Sequence, residues 1–435
     1  MTQVNIKPVF ILGTFVTIFH QNGRLERIID EAAIDSKVSL VHQQFKERLQ
    51  TNPLLNEPAL VYDEADIAQL RKDATEVDAF IVCLLGAMPL VKLLEIGVPI
   101  IAFSGEHTPM RAITAFMLER ESDPSVTIAL DFKDIDDQIR LLGVMKQLRE
   151  TRVALIGLPA NPYSKWSFLP DPEVVHRKLG VETIPMNIEE LLDAMSRVEE
   201  AQAETIAQGW IKNAQEVIEP SPDEVKDAAR VYLALEKIVK QHNVKAIAID
   251  CLRLVSSERP IPACVPLTTL RDTGIPSACE ADMVALLTML VLGYVADKPT
   301  FMGNIVRADP ETSQILMSHC VMPTKMAGYT QQPAPYTLRN YHGKFGATAY
   351  VPLDKGQEVT IARLSRDMEK MLALTGEIVD CYDTITCRVT FALKVKDPRE
   401  FVCKALGGHH VLVYGNYISQ LRMLCPALGI QLIEV

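Results

Sequence analysis

The chain lacks any cluster of Lys and Arg long enough to track a phosphate backbone, and 55 Asp and Glu against 44 Lys and Arg leave a net charge of −11. Nucleic acid is thereby excluded as a main partner, although net charge says little about one pocket. Long apolar runs are missing as well. The longest, Met283 to Ala296, stops well short of the roughly 20 residues a membrane-spanning helix requires, so it reads as a core helix and no membrane partner is expected. Residues 9–19 are apolar but interrupted by Gly13 and two Thr, with no small-residue cleavage site behind them; they read as a strand and not as a secretory signal. No C-x-x-C occurs among nine scattered cysteines, which points to reduced thiols serving mainly as small core residues and to a cytoplasmic location.

Familiar catalytic signatures are absent too. No G-x-G-x-x-G follows the candidate strand 153–158, and there is no Walker-type lysine loop, G-x-S-x-G elbow or H-E-x-x-H. Gly343-Lys344-Phe345-Gly346-Ala347-Thr348 has the wrong spacing for a phosphate loop. Nucleotide-driven chemistry and a serine-hydrolase triad are therefore disfavoured.

What is present is 48% hydrophobic content, ample for well-buried interiors, spread over 435 residues, too many for one ordinary core. Residues 1–150 alternate candidate strands (9–15, 79–85, 98–103, 126–130) with candidate helices (24–33, 64–73, 90–96, 110–119, 135–149). That alternation signals a parallel sheet covered on both faces. A fresh strand at 153–158 opens a second α/β unit. It continues with a Glu-rich helix at 187–207, a helix entered through a capping-box-like Ser221-Pro222-Asp223-Glu224, and a strand at 244–249 ending at Asp250. Beyond Pro299, runs at 346–351, 358–364 and 384–391 read as antiparallel strands, closed by a helix at 417–424 and a strand at 430–435. The expected fold is α/β: two Rossmann-like parallel-sheet domains, 1–150 and 151–300, followed by a β-rich C-terminal domain, 301–435. Such builds place their chemistry at the carboxyl ends of parallel strands, here near residues 250–320.

Glu280, in Ala278-Cys279-Glu280-Ala281-Asp282-Met283 at the mouth of the apolar run, is the leading candidate. A carboxylate there is costly unless a cation or hydrogen bonds compensate it. The helix dipole offers part of that compensation, so a capping role competes for Glu280 and is favoured for Asp282. Asn304 follows Gly303, an ordinary turn context. His319 ends a candidate strand. In Gly407-Gly408-His409-His410 two glycines allow close backbone approach, and adjacent imidazoles at a strand start point to opposite faces, so one of the two faces a shared site.

With Cys279-Glu280-Ala281-Asp282, Ala285-Leu286-Leu287-Thr288-Met289, Lys298-Pro299, Ser318-His319-Cys320 and Gly407-Gly408-His409-His410, the chain resembles the L-fucose isomerase/L-arabinose isomerase family, and its shorter fucose-isomerase-like members most. The match is specific over residues 275–320 and 405–415, vaguer over 150–275, and architectural before 150. The resemblance implies a Mn²⁺-dependent enzyme (or one using Mg²⁺ or Co²⁺) that interconverts aldoses and ketoses. It assigns Glu280 the metal-binding acid/base position, Asn304 the place of the second metal-binding and catalytic carboxylate, His410 the C-terminal metal histidine, and His319 a ligand of the arabinose branch. Asn304 departs from the pattern, since an amide can bind a metal but cannot accept a proton as a carboxylate does. The second proton-transfer group is left open among a metal-bound water, His319 and Asp250.

The family implies a free sugar as small-molecule substrate: a deoxyhexose, a pentose or a sulfonated glucose. Arg253 and Arg307, each after an apolar strand-like run, are candidates for an anionic sugar tail, and His409 joins them as a substrate-binding candidate. Trimers or hexamers are implied, with His107 in Glu106-His107-Thr108 as a contribution to a neighbour's site. Two other functions compete. One is a metal-dependent aldolase or lyase on the same scaffold, and the other is a non-catalytic sugar-binding protein.

Overall fold

The computed structural model describes residues 2–12, 17–19, 25–27, 31–85, 91–104, 117, 126–158 and 168–435. Its contacts divide the chain into two compact units, Met1–Lys146 and Gln147–Val435. In the first, apolar strands that must be covered on both faces form a parallel sheet in the order Leu54–Leu55, Asn5–Ile11, Ala79–Leu84, Ile100–Phe103, Val126–Ala129. Ala59–Val61 pairs further along Asn5–Ile11. Ala79–Leu84 is buried throughout; Ile81 and Cys83 enter one core, Phe80, Val82 and Leu84 the other, as a two-sided parallel strand requires.

Helix Glu64–Asp73 has the expected bounds, entered through a capping box between Asp63 and Asp66. Within the helix expected at 24–33, residues 25–27 are strand and only 31–33 are helical, 24 and 28–30 lying outside the described residues. Leu25–Arg27 pairs antiparallel with Thr17–Phe19, and the helix is Glu31–Arg48. A few apolar residues are too short a stretch to separate period 3.6 from period 2. The helix expected at 110–119 and the candidate His107 lie outside the described residues, apart from Met117.

The second unit begins with a four-stranded parallel sheet ordered Glu182–Met186, Arg152–Ile156, Ala246–Ile249, Ser277–Ala278. The Glu-rich segment at 187–207 is two helices, Ile188–Ser196 and Glu200–Asn213, with Val198 leaving the helical path between them to pack on the core. The anticipated capping box is present, Ser221 with Glu224, and starts helix Pro222–His242.

The β-rich region is a closed antiparallel barrel. Its strands run Glu358–Leu364, His409–Tyr414, Phe301–Asp309, Gln314–His319, Val389–Val395, Lys370–Asp383, and the last pairs back onto the first; Gln431–Glu434 adds in parallel to Lys370–Asp383. The strand expected at 384–391 is shifted to Val389–Val395, and Lys370–Asp383 was not foreseen. Two features hide that strand from its pattern. Gly376 sits where a Cβ would lie 3.0 Å from the Lys394 carbonyl, and the register slips between Ile378 and Asp380.

Inside the barrel, Phe301, Met317, Ile361, Leu374, Phe391, Leu412 and Tyr414 share one core, capped by Phe401. Outside it, the apolar helix Met283–Ala296 packs on strands Glu358–Leu364 and His409–Tyr414, with the Leu364 amide donating to Thr288 Oγ1 at 3.1 Å. No helix among the described residues is long and apolar enough to cross a membrane.

Candidate metal centre

Helix Met283–Ala296 is buried on every side through its first eleven residues, so its N-terminus lies deep in the unit and its cap must be satisfied by protein groups. Asp282 does this. One carboxylate oxygen accepts the Ala285 amide at 2.8 Å, while the other accepts from Arg363 and from His409 Nδ1, both at 2.9 Å. Asp282 is fully buried and Arg363 is 1% exposed. Burial opposes ionisation of Asp282, but the Arg363 guanidinium and His409 outweigh it and hold the carboxyl below its ordinary value. Capping is thus only one of three tasks for this residue. Arg363 fits because Gly407 has no side chain: a Cβ there would stand 2.9 Å from the guanidinium Nε.

Glu280 precedes the cap and is not in the helix's first turn. Glu280 and Ala281 both adopt left-handed backbone, with φ of 57° and 53°. For two consecutive L-residues this costs about 1–2 kcal/mol each. The Ala281 amide donates to the Ile249 carbonyl at 2.8 Å, tying the turn to the carboxyl end of strand Ala246–Ile249; the Glu280 amide reaches Cys251 Sγ at 3.4 Å. The strained turn aims the half-buried Glu280 carboxylate at two imidazoles. His319 Nε2 is 3.7 Å from one oxygen and His409 Nε2 is 3.9 Å from the other.

One ligand atom from each of Glu280, His319 and His409 lies within 4.8 Å of the others. Burial pushes His319 below its ordinary value, and Glu280 only partly offsets this, so at neutral pH a neutral imidazole faces a carboxylate. For Glu280 burial works the other way, and the two histidines prevail to keep the carboxyl below its usual range. Among buried side-chain atoms without a hydrogen-bond partner is His409 Nε2. With Nδ1–H donated to Asp282, that nitrogen presents a lone pair toward Glu280 with nothing to receive it. A divalent ion would satisfy all three groups at once. The carboxylate behind the histidine is the arrangement that fixes a ligating tautomer.

His410 is not part of this group. It is fully buried on the barrel side, its ring 5.0 Å from Phe401, and burial pushes its pKa down to about 3. It shares strand parity with Leu412 and Tyr414 of the barrel core, whereas His409 faces outward against Phe168 and His319, at 5.2 and 5.4 Å between rings. The two imidazoles do take opposite faces. The one that meets Glu280 is His409, not His410.

Asn304 is in register with His409 across strand Phe301–Asp309, with Oδ1 3.5 Å from the point where a Cβ on Gly408 would lie. Both glycines before the histidines therefore do allow close approach, Gly407 to Arg363 and Gly408 to Asn304. Asp250, at the end of strand Ala246–Ile249, is buried with one carboxylate oxygen lacking a partner; burial, with Glu280 nearby, raises its pKa. Gly157 makes room for it, since a Cβ there would be 2.9 Å from that of Asp250. Arg253 is exposed on the short helix Cys251–Val255 that follows, close enough to Asp250 to favour its ionised form. Arg307 is a surface cation paired with Asp309 at 3.5 Å, past a bulge and about 10 Å further along the strand than Asn304.

Arg363 and Phe168 went unrecognised in the sequence. An arginine in the apolar run 358–364 was the available signal for the first, because a charge on such a strand needs a buried partner. Nothing local marks the second.

No protein-family model matches the chain. Curated relatives do. The chain is similar to a sulfoquinovose isomerase of Alkalicoccus urumqiensis, 22% identical over 313 residues, 68% of this chain and 67% of the relative. A sulfoquinovose isomerase of Clostridium sp. (strain MSTE9) is 24% identical over 304 residues, 67% of this chain and 66% of the relative. One from Priestia aryabhattai is 22% identical over 312 residues, 68% and 66%. The match thus spans about two thirds of the chain and of the relatives' own length. Relatives of this name are enzymes, and they bear out the resemblance to fucose-isomerase-like sugar isomerases.

Proposed function

We propose that the protein is a cation-dependent aldose–ketose isomerase with a fucose/arabinose isomerase-like fold, acting on a free sulfonated hexose through a cis-enediolate. The convergence of Glu280, His319 and His409 behind one strained turn carries the reading, and relatives named sulfoquinovose isomerase support it. These three residues would hold the ion, with His409 in the role expected of His410 and the Asn304 amide beside them. Two imidazoles favour Mn²⁺ or Co²⁺ over Mg²⁺, which prefers an all-oxygen shell. When bound, the cation supplies Lewis-acid polarisation of a carbonyl oxygen.

Glu280 takes the proton from the carbon beside the carbonyl and returns it to the neighbouring carbon; a carboxylate has a second oxygen free for the cation. Asp250 moves the proton between O1 and O2. Its raised pKa and unpartnered oxygen suit a group that must carry a proton in one half of the cycle and lack it in the other. Asn304 orients and does not shuttle. Arg253, exposed beside Asp250, receives the sulfonate; Arg307, already paired at the surface, does not. Assembly into trimers or hexamers and a cytoplasmic location belong to the same proposal.

The test is turnover. Protein stripped with EDTA and reloaded with Mn²⁺ is given sulfoquinovose and, separately, a neutral deoxyhexose, with products followed by NMR. The sulfonated ketose is expected, only with the ion restored. Three-carbon fragments would replace isomerisation by carbon–carbon cleavage. Sugar binding without turnover would leave a binding protein, and conversion of the neutral sugar alone would remove the sulfonate.

A further inference from the structure

A second set of ligand atoms converges on the other side of His319. The chain leaves strand Gln314–His319 at buried Cys320, whose thiol meets those of Cys387 and Cys264. The ligand atoms of Cys320, His342 and Cys387 all lie within 4.8 Å of one another. Tetrahedral zinc with two sulfurs and a nitrogen needs these atoms roughly 3.3–3.8 Å apart, a contraction of at most about 1.5 Å.

How His342 reaches the thiols is informative. It occupies the turn between strands Thr337–Tyr341 and Phe345–Tyr350, where His342 and Gly343 take φ of 50° and 67° and the Lys344 amide returns to the Tyr341 carbonyl at 3.0 Å. Asn and Gly are the residues that take successive left-handed positions in a tight turn most readily, so a histidine in the first of them is unusual. Gly343 eases the approach: at its φ of 67° a Cβ would stand 2.9 Å from the Ile385 side chain, in the loop that carries Cys387. Buried Arg388 pins the two segments by donating to the Asn340 carbonyl at 2.8 Å. Tyr341 stacks on the imidazole, with ring centroids 4.1 Å apart, and fixes its plane. Three separate loops are thus held so that two thiols and an imidazole share one point.

We infer that Cys320, His342 and Cys387 bind a thiophilic divalent ion, Zn²⁺ foremost, at a site distinct from the Glu280 centre. Cys264 touches Cys320 but stands outside this three-residue group, so the fourth position is open to solvent. Sulfur and imidazole donors select Zn²⁺ and Co²⁺ and reject Mg²⁺ and Ca²⁺, whereas the Glu280 centre contains no sulfur. Each thiol that ligates loses its proton to solvent, so binding one ion releases a proton per sulfur. The ion would staple the hairpin and the 384–388 loop to the strand end that positions His319.

Co²⁺ titration of the full-length, EDTA-stripped protein tests this without reference to any sugar. Two ions per chain are expected, one of them accompanied by a thiolate-to-cobalt charge-transfer band in the near ultraviolet. Cys387→Ser should abolish that band and one equivalent of Co²⁺, while His409→Ala should remove the other equivalent and leave the band. As a check needing no variant, Zn²⁺ should protect the partly exposed Cys387 of the wild-type protein from alkylation, mapped by mass spectrometry. No thiolate band at saturating Co²⁺, a band that survives Cys387→Ser, or equal alkylation with and without Zn²⁺ would each overturn the assignment.

Discussion

Replacing Asp282 by Asn separates the buried charge from every other task of that residue. Asn is as good a helix cap as Asp, so the bond to the Ala285 amide is kept. What goes is the negative charge opposite Arg363, which is 1% exposed and whose Nε already lacks a partner. Breaking a buried pair in this way costs about 3–5 kcal/mol, because the remaining charge is left uncompensated. Trp210 packs on the core of Gln147–Val435, so its fluorescence follows the unfolding of that unit. With a urea slope of about 3 kcal/mol/M, the midpoint should fall by roughly 1 M or more.

The same substitution acts on the metal centre. An amide can donate to His409 Nδ1, which drives the proton to Nε2 and turns the waiting lone pair into an N–H. Mn²⁺ affinity, read by titration calorimetry, should drop about 10–100-fold, the usual scale for losing a carboxylate behind a ligating histidine. The folded protein keeps Asp282 ionised to lower pH than the unfolded chain does. Its stabilisation is therefore complete above the ordinary Asp value of about 3.9 and is lost as pH falls through the folded value, so mutant and wild type should converge in acid. A mutant with an unchanged midpoint and unchanged Mn²⁺ affinity at pH 7 would refute the Asp282–Arg363–His409 account.

Three further outcomes follow from the site. His409→Ala should abolish Mn²⁺ binding at the Glu280 centre, whereas His410→Ala should retain it and lose about 2–3 kcal/mol of stability from a cavity beside Phe401; calorimetry and urea unfolding read the two, and the opposite pattern would restore His410 as the ligand. Glu280→Gln should leave the unfolding curve near wild type while turnover falls on the order of 10²–10⁴-fold, and near-normal rates would remove Glu280 as the base. Because burial holds His319 below 6.5, Mn²⁺ affinity should be flat from pH 8 to 6.5 and fall only in more acid solution; a midpoint at or above 6.5 would contradict the environment described for that ring.

Legibility in the sequence followed the length of the pattern. Helix Glu64–Asp73 and strand Glu358–Leu364 have the bounds their patterns predicted, and helix Met283–Ala296 those of its uninterrupted apolar run. The segment at 24–33 was too short, and Lys370–Asp383 carries a glycine and a register slip that break its alternation. At the site, Glu280 was legible because a carboxylate before an apolar helix needs compensation. Its left-handed turn was not, since no glycine marks it.

The order of residues alone determined that an acid and two histidines stand at element ends, and that His409 and His410 must point opposite ways. Only the closed barrel decided which of them meets Glu280. Pairing Asn304 with His409 turns that ring out of the barrel and sends His410 in beside Phe401, and a slip of one residue would reverse both. The Asp282–Arg363 pair and the Cys320–His342–Cys387 cluster were equally unreadable in one dimension. Each joins residues from separate elements through bonds whose energy depends on distance and burial, which the chain acquires only on folding.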